Sequence, residues 1–140
     1  MQRGRRIAFD FGDVRIGVAV CDTDAILSSP LTTLKSADKN LTKQLREIFA
    51  EIEPVVIYVG RPALLSGHDG VASGKASGFV EMLQAITTVP IEMIDERMST
   101  ISAARNLREA GRNAKDSKDS IDMASAVAIL DFALEIERRK

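Results

Sequence analysis

The sequence predicts an α/β protein in which a mixed sheet of five strands is flanked by helices. Three short β patterns come first, and helical and strand patterns then alternate along the rest of the chain. Strands joined by short turns favour an antiparallel meander, whereas strands separated by helices favour parallel pairing. A length of 140 residues suits one domain with its own core, so we expect residues 1–140 to form a single domain.

The predicted strands are rich in β-branched and apolar residues and are bounded by turn residues. Pro30 confines the third strand to a strand start or a sheet edge, because proline cannot donate to the ladder. The unbroken run "VVIYVG" is typical of a strand that is buried on both faces. In chain order, the five predicted strands are Arg6–Asp10, Arg15–Cys21, Ser28–Lys35, Val55–Gly60 and Pro90–Asp95.

Helical periodicity appears first between about Asn40 and Glu53, where apolar residues recur at helical spacing until Pro54. Past Asp122 the last helical segment is apolar nearly all round, which predicts that it packs deep against the sheet. The remaining predicted helices are about Lys75–Ile86, Thr100–Ala110 and Lys118–Glu137.

Composition excludes several classes of protein. The formal net charge is -1, so a polyanionic partner would have to meet a local basic patch. The single cysteine, Cys21, excludes an intramolecular disulfide and a cysteine-built zinc site, and we expect its thiol to be inert packing. No apolar run is long enough to cross a membrane, so we expect a soluble cytoplasmic protein.

Asp10 is the first candidate site residue, because it falls within the first predicted strand. A buried carboxylate needs a partner charge, hydrogen bonds or a metal. If Ile7 and Phe9 face one side, Asp10 lies on the other, near the carboxyl end of a central strand where α/β sheets bind ligands. It is either a ligand of a metal or phosphate, or a cap of the following turn.

A second group of acids follows the fifth strand. Asp95 and Glu96 are adjacent, so both cannot point into one site while the strand continues, and Arg97 can form a solvated salt bridge with either. In the last helix, Asp119 and Asp122 are three residues apart and share a face. Asp119 also fits as a helix-start carboxylate. Acids from two strand ends and one helix would suit a pair of hard divalent cations.

The segment "GVASGKAS" looks like a phosphate-binding P-loop but fails the motif twice. Asp69 stands where the first glycine is required, and Ala76 stands where Ser or Thr is required. We therefore reject a nucleotide-hydrolysing P-loop, although Lys75 remains a candidate contact for a polyphosphate backbone.

Other basic residues are expected to be mostly solvated surface. One stripe of the predicted helix at 100–110 and its end is a candidate contact for a phosphate backbone. That stripe consists of Arg105, Arg108 and Arg112, and the N-terminal basic residues are Arg3, Arg5 and Arg6.

Four stretches together resemble the YqgF family, which is similar to the Holliday-junction resolvases of the RNase H superfamily. They are "AFDFGDVRIGVAVCD", "YVGRPALLSGHDG", "IDERMSTISAARNLREAG" and "DSIDMASAVAILDFAL", and the match runs from about Ile7 to Leu134. The resemblance implies an RNase H-like fold and a phosphodiesterase that depends on Mg²⁺ or Mn²⁺. It implies that Asp10, Glu96 and Asp122 are the catalytic metal ligands, with Asp95 a weaker candidate beside Arg97.

Two departures from the family pattern concern the surroundings of this site. Asp13 stands where such proteins usually carry a small hydroxyl residue, which adds negative charge. Leu64–Gly67 replaces a polar stretch after "VGRP". Neither departure touches the three metal ligands that the resemblance implies.

The function that the resemblance implies is hydrolysis of RNA phosphodiesters, in processing the 5′ end of the precursor of 16S ribosomal RNA. The expected partners are this RNA and ribosomal particles, and the protein is expected to be a monomer or a homodimer. The alternatives are resolution of branched DNA and a non-catalytic nucleic-acid-binding scaffold. A phosphotransferase of the actin type needs two such domains, which 140 residues do not supply.

Overall fold

The computed structural model describes residues 2–61, 71–95 and 118–140, and it describes only the backbone at 61, 71–74 and 118–122. The predicted helix at Thr100–Ala110 and the candidate residues Glu96, Arg97, Arg105 and Arg108 lie outside these ranges. So do the departure at Leu64–Gly67 and Arg112.

The strands form one mixed sheet in the order β3-β2-β1-β4-β5. β1 pairs antiparallel with β2 and β2 with β3, whereas β1, β4 and β5 run parallel to one another. This confirms both the mixed sheet and the initial meander. Because parallel strands end at the same edge, the carboxyl ends of β1, β4 and β5 meet there. Their bounds are β1 Arg6–Phe11, β2 Arg15–Cys21, β3 Ser28–Lys35, β4 Val56–Arg61 and β5 Ile91–Asp95.

Strand β3 lies at an edge of the sheet, as Pro30 predicted. It also carries a bulge next to this proline. Thr32 pairs with Val18 and Pro30 pairs with Ala19, so Leu31 is the extra residue between them. Proline is tolerated at sheet edges and bulges, where its missing N–H breaks no ladder bond. The prediction from Pro30 is confirmed.

One face of the sheet is covered by helices α1 (Leu41–Ile52) and α2 (Val71–Ile86). Phe9 of β1 meets both of them, with its ring centroid 6.2 Å from that of Phe49 and 5.3 Å from that of Phe79. Edge-to-face aromatic packing of this kind fixes helix position beyond simple area burial. These contacts hold α1 and α2 over the centre of the sheet.

The other face is covered by helix α3, Lys118–Arg139, as its nearly all-round apolar sequence predicted. Small and large residues make the contact. Ala8 and Ala19 from the sheet are buried with Ala126 and Ala133 from the helix, and Ile129, Leu130 and Leu134 of the helix are buried with them. The layers are therefore helix, sheet and helix.

The start of α2 corrects a sequence prediction. We expected a glycine-rich connection up to about Lys75, but the helix already begins at Val71 and includes Gly74 and Gly78. Glycine lowers helix propensity by about 1 kcal/mol per residue. Burial of Phe79 and Leu83 against the sheet outweighs that loss. The segment "GVASGKAS" is thus mostly part of helix α2, which agrees with our conclusion that it is not a P-loop.

Arg6 is a second correction, because we expected solvated surface and its side chain is fully buried. Its guanidinium donates to both carboxylate oxygens of Glu137, at 3.2 and 3.0 Å, and to the carbonyl oxygens of Gly4 and Gln2. A buried charge persists when it is paired and hydrogen-bonded, and Arg6 meets both conditions. The link joins the start of β1 to the end of α3.

Cys21 is buried as expected. Its Sγ accepts a hydrogen bond from the Arg6 backbone N–H at 3.1 Å, and burial raises the pKa of the thiol. Among the helices of the described ranges, none combines the length and apolarity that a membrane span requires.

Candidate active site

Asp10 lies where the sequence predicted, near the carboxyl end of central strand β1. Ile7 and Phe9 point into the core under α1 and α2, and Ala8 points into the core under α3. Alternation therefore puts Asp10 on the α3 face, and its side chain is half-buried. The carboxylate is positioned at the edge where parallel strands end, between the sheet and the helix.

The neighbouring strands present glycines beside Asp10. Gly17 of β2 pairs directly with Asp10, and Gly60 of β4 follows Val59, the partner of Phe9. No side chain therefore flanks the carboxylate on either adjacent strand. Beyond the glycines, in the same row and on the same face, lie Thr33 of β3 and Ile94 of β5. Gly17, Gly60 and Ile94 of this row are buried, whereas the side chain of Asp10 is half-buried.

Asp95 does not join this row. Gly60 pairs with Ile94, whose side chain is buried in the core under α3. Asp95 is the next residue of β5 and so faces away from Asp10, toward the α1 and α2 side. Glu96 lies outside the described residues, so the prediction that Asp95 and Glu96 do not share a face stays a prediction.

The backbone position of Asp122 is within the first turns of α3. It precedes Ala126 by four residues and Ile129 by seven, and both of those side chains are buried against the sheet. Spacings of four and seven return to the same helical stripe. The backbone positions of Asp122 and Asp119 are therefore in helical register with Ala126, at four and seven residues before it.

Of the three predicted metal ligands, Asp10 is the one whose side chain is described. Carboxylate oxygens are the ligands that Mg²⁺ prefers, and Asp10 presents such a group at the sheet edge. No cluster of three or more acidic, histidine or cysteine side chains occurs within the described parts of the chain. The structure therefore describes one of the three predicted metal ligands, and the roles of Glu96 and Asp122 stay predictions.

Lys75 is placed beside the β1–β2 turn by the packing of α2. The ring of Phe79, one helical turn after Lys75, stacks on that of Phe11 with centroids 4.9 Å apart. The Lys75 Nζ lies 3.0 Å from the Asp13 Oδ1, and both side chains are at least half exposed. Sequence reasoning noted the charge of Asp13 but missed this partner, because the pairing depends on how the helix packs.

The β1–β2 turn is held by backbone and side-chain hydrogen bonds. The Gly12 N–H donates to the Arg15 carbonyl at 2.9 Å, and the Ser36 hydroxyl donates to the Gly12 carbonyl at 2.6 Å. The Ser36 N–H also donates to the Val14 carbonyl. A Cβ on Gly12 would lie 2.7 Å from the Arg15 carbonyl oxygen, so the turn requires glycine here. The chain just after Asp10 is thus fixed in place.

Comparisons with known proteins agree with this architecture. The sequence profile of the RuvX family, described as Holliday junction resolvase, matches residues 4–136. A protein of Streptomyces coelicolor is 45% identical over 99% of this chain and 84% of its own. One of Cutibacterium acnes is 46% identical over 94% of this chain and 82% of its own. Both carry names that propose a nuclease for pre-16S rRNA.

Among solved structures, Thermus thermophilus RuvC in complex with a Holliday junction substrate has a similar fold. The TM-score is 0.63 at 17% sequence identity, and the match covers 96% of each chain. A second structure of RuvC from the same organism gives a TM-score of 0.59 at 15% identity. At these identities the likeness establishes the RNase H-like fold of the resolvases and carries no residue roles.

Proposed function

The chain belongs to the RuvX family of Holliday junction resolvases, and we propose that it is a metal-dependent endonuclease that hydrolyses RNA phosphodiesters. Its substrate in this proposal is the 5′ region of the 16S ribosomal RNA precursor, free or in ribosomal particles. The names of relatives that cover most of this chain support that choice. The protein would act in the cytoplasm as a single domain.

The observation that carries the proposal is the placement of Asp10. Its half-buried carboxylate stands at the carboxyl end of β1 between Gly17 and Gly60, on the face that α3 covers. A phosphodiester backbone is bulky and anionic, so it needs a position that is both open and compensated by positive charge. The Asp10 side chain is only half-buried, so it can be reached from outside, and a divalent cation on Asp10 would supply the charge.

Glu96 and Asp122 would complete the set of ligands. Glu96 follows Ile94 by two residues, the spacing at which a strand returns to the same face, and Ile94 shares the row of Asp10. The backbone position of Asp122 is in helical register with Ala126 of α3. A divalent ion held there would supply polarisation of the phosphoryl oxygen and activation of water. The carboxylates would fix the position of the reacting phosphate, and Arg97, Arg105, Arg108 and Lys75 would contact the backbone around it.

The test is cleavage of a labelled RNA that spans the junction between the 5′ leader and mature 16S rRNA. Wild type, Asp10→Asn and the control Asp131→Asn are compared in Mg²⁺, Mn²⁺ and EDTA, beside a four-way DNA junction. Asp131 is exposed on α3, so its variant makes the same chemical change away from the row of Asp10. Circular dichroism confirms that each variant is folded.

We expect wild type to cleave the RNA in Mg²⁺ or Mn²⁺ and not in EDTA. Asp10→Asn should lose about 10²-fold to 10³-fold in rate, whereas Asp131→Asn should keep the wild-type rate. Loss of a metal ligand would weaken the electrostatic stabilisation of the transition state, which is commonly worth about this much. Cleavage by Asp10→Asn at the wild-type rate would contradict the site. Cleavage of the DNA junction alone would favour a resolvase, and binding of RNA without cleavage by folded wild type would favour a scaffold.

A further inference from the structure

We propose that Arg15 and Lys35 form a site for a nucleic-acid phosphodiester beside Asp10, which positions the strand for cleavage. The inference rests on the proposed function for its substrate, and it adds a contact that neither the sequence motifs nor the comparisons assign. The ligand is the phosphate backbone itself, which RNA and branched DNA share.

The two cations are brought together by strand register. Arg15 at the start of β2 pairs directly with Lys35 at the end of β3. Two residues along each strand, Gly17 pairs with Thr33 in the row of Asp10, so alternation puts both cations on the face of Asp10. Diagonal neighbours of this kind are about 7–8 Å apart between Cα atoms, which is the relation of Arg15 to Asp10.

A cavity of about 640 Å³ lies between these residues. Arg15, Lys35 and Thr33 line it, together with residues of the turns at Asp13 and Ala37. The volume is within the range of small-ligand sites, and the lining offers two cationic groups and a hydroxyl. Phosphate oxygens accept hydrogen bonds from both kinds of group, and such contacts set the register of a nucleic acid on a protein.

Both carboxylates of the described lining already have partners. Asp13 is paired with Lys75 at 3.0 Å, and the Asp38 Oδ1 accepts the Asn40 backbone N–H at 2.8 Å. A phosphate bound between Arg15 and Lys35 would gain charge-assisted hydrogen bonds from both side chains.

The site is also rigid before any ligand binds. The Gly12 N–H holds the Arg15 carbonyl, and Ser36, the residue after Lys35, bonds to Gly12 and Val14. Both cations are therefore anchored to the turn that follows Asp10. A preorganised site loses less conformational entropy on binding than a mobile loop does.

The test measures binding without cleavage, by fluorescence anisotropy in EDTA over a series of salt concentrations. The probes are the labelled leader–16S RNA and the four-way DNA junction. The variants are Lys35→Gln, Arg15→Gln and the charge-preserving Arg15→Lys. Lys43→Gln is the matched control, because Lys43 is exposed on α1 at the other face of the sheet. Since Lys35 is exposed, its variant tests the site even if a change at Arg15 impairs folding.

We expect Lys35→Gln and Arg15→Gln each to weaken RNA binding roughly threefold to tenfold. The slope of log affinity against log salt should fall by about 0.7 for each lost contact to a single strand. Arg15→Lys should keep the wild-type slope, because lysine preserves the positive charge. If Arg15 had only a structural role, preserving its charge would not be needed to keep the slope. Equal losses on both probes would identify a shared backbone contact, and loss on one alone would identify which nucleic acid the site serves.

Wild-type affinity and slope in both Gln variants, or the same loss in Lys43→Gln, would overturn the inference. So would a wild type that binds neither probe. If wild type binds RNA but does not cleave it in Mg²⁺ or Mn²⁺, the proposed nuclease function fails instead, while the slopes still decide the role of Arg15 and Lys35.

Discussion

At the scale of single residues, the negative charge of Asp13 is the feature that most directly opposes the proposed substrate. Its carboxylate holds Lys75 at 3.0 Å and lines the cavity between Arg15 and Lys35. Asp13 thus occupies one cation that a phosphate would otherwise meet, and it repels that phosphate. An exposed ion pair of this kind is itself worth little to stability.

Asp13→Ser, which restores the small hydroxyl residue usual in the family, should strengthen binding of the leader–16S RNA. We expect a gain of about threefold to tenfold at low salt, because one repulsion is removed and Lys75 is released. The gain should shrink as salt rises, since exposed charges are screened. Anisotropy titrations at two salt concentrations measure it.

The matched control is Asp24→Ser, because Asp24 also pairs with an exposed cation, Arg3, at 3.2 Å. We expect no change in RNA affinity there. An equal gain in both variants would mean that only the net charge of the protein matters. No gain in Asp13→Ser would show that Lys75 and Asp13 stand outside the path of the RNA.

The sequence alone predicts the burial and the facing direction of some residues but not of others. Period-two alternation was enough to put Asp10 on the opposite face from Phe9, and the structure agrees. The expectation that basic residues are mostly solvated surface was wrong for Arg6, whose side chain is buried. Its burial depends on Glu137, a partner 131 residues away in the chain. No local pattern carries that information.

At the scale of elements, the packing of α3 on the sheet would determine where Asp122 stands relative to Asp10. Ala126 is fully buried against the strands, four residues after Asp122. A larger side chain at this point would push the start of the helix away from β1. The separation of Asp122 from Asp10 would then increase.

Ala126→Leu should therefore lower both stability and cleavage. Overpacking a well-filled core costs about 1–3 kcal/mol, and a displacement of about 1 Å in a catalytic group can reduce rate about 10²-fold. Urea unfolding and RNA cleavage, measured in conditions where the variant is fully folded, separate the two effects. Ala50→Leu on the exposed face of α1 is the control, and we expect wild-type activity from it. Full activity in folded Ala126→Leu would contradict the place of Asp122 in the site.

Element order and most bounds followed from sequence patterns, whereas alignment between elements did not. The second and third strands are observed as predicted, because β-branched runs with turn residues between them are strong local signals. The register that pairs Ile94 with Gly60 depends on contacts between strands far apart in sequence, so no local pattern predicts it. The early start of α2 was missed because Gly74 lowers helix propensity, and only packing on the sheet restores it.

At the scale of the whole molecule, the two ends of the described chain are joined by a polar link opposite the proposed site. Glu137 accepts hydrogen bonds from Arg6 and, at 2.6 Å, from the Tyr58 hydroxyl. Burial works against its ionised form, yet the bonds from Arg6 and Tyr58 outweigh burial and lower the pKa of Glu137. Burial, followed by the bond to Glu137, raises the pKa of Tyr58. The link thus requires an ionised Glu137 and a neutral Tyr58.

Glu137→Gln should destabilise the protein by about 3 kcal/mol at pH 7, because it leaves the buried charge of Arg6 without its counter-ion. Glu135→Gln is the matched control on the same helix, since Glu135 pairs with Arg139 in the open. An exposed pair of this type contributes about 0.5 kcal/mol or less. Urea unfolding at pH 7 compares the two variants with wild type.

The difference between wild type and Glu137→Gln should also depend on pH in a defined direction. Folding lowers the pKa of Glu137 below its ordinary value of 4.5, so the folded state binds this proton less tightly than the unfolded state. The stabilisation is therefore complete above about pH 4.5, and it is lost as pH falls through the lower pKa of the folded state. Unfolding at pH 7, 5 and 3.5 should show a constant gap and then a narrowing one. A gap that widens in acid would mean that Glu137 is protonated in the folded protein, and the link would then not be an ion pair.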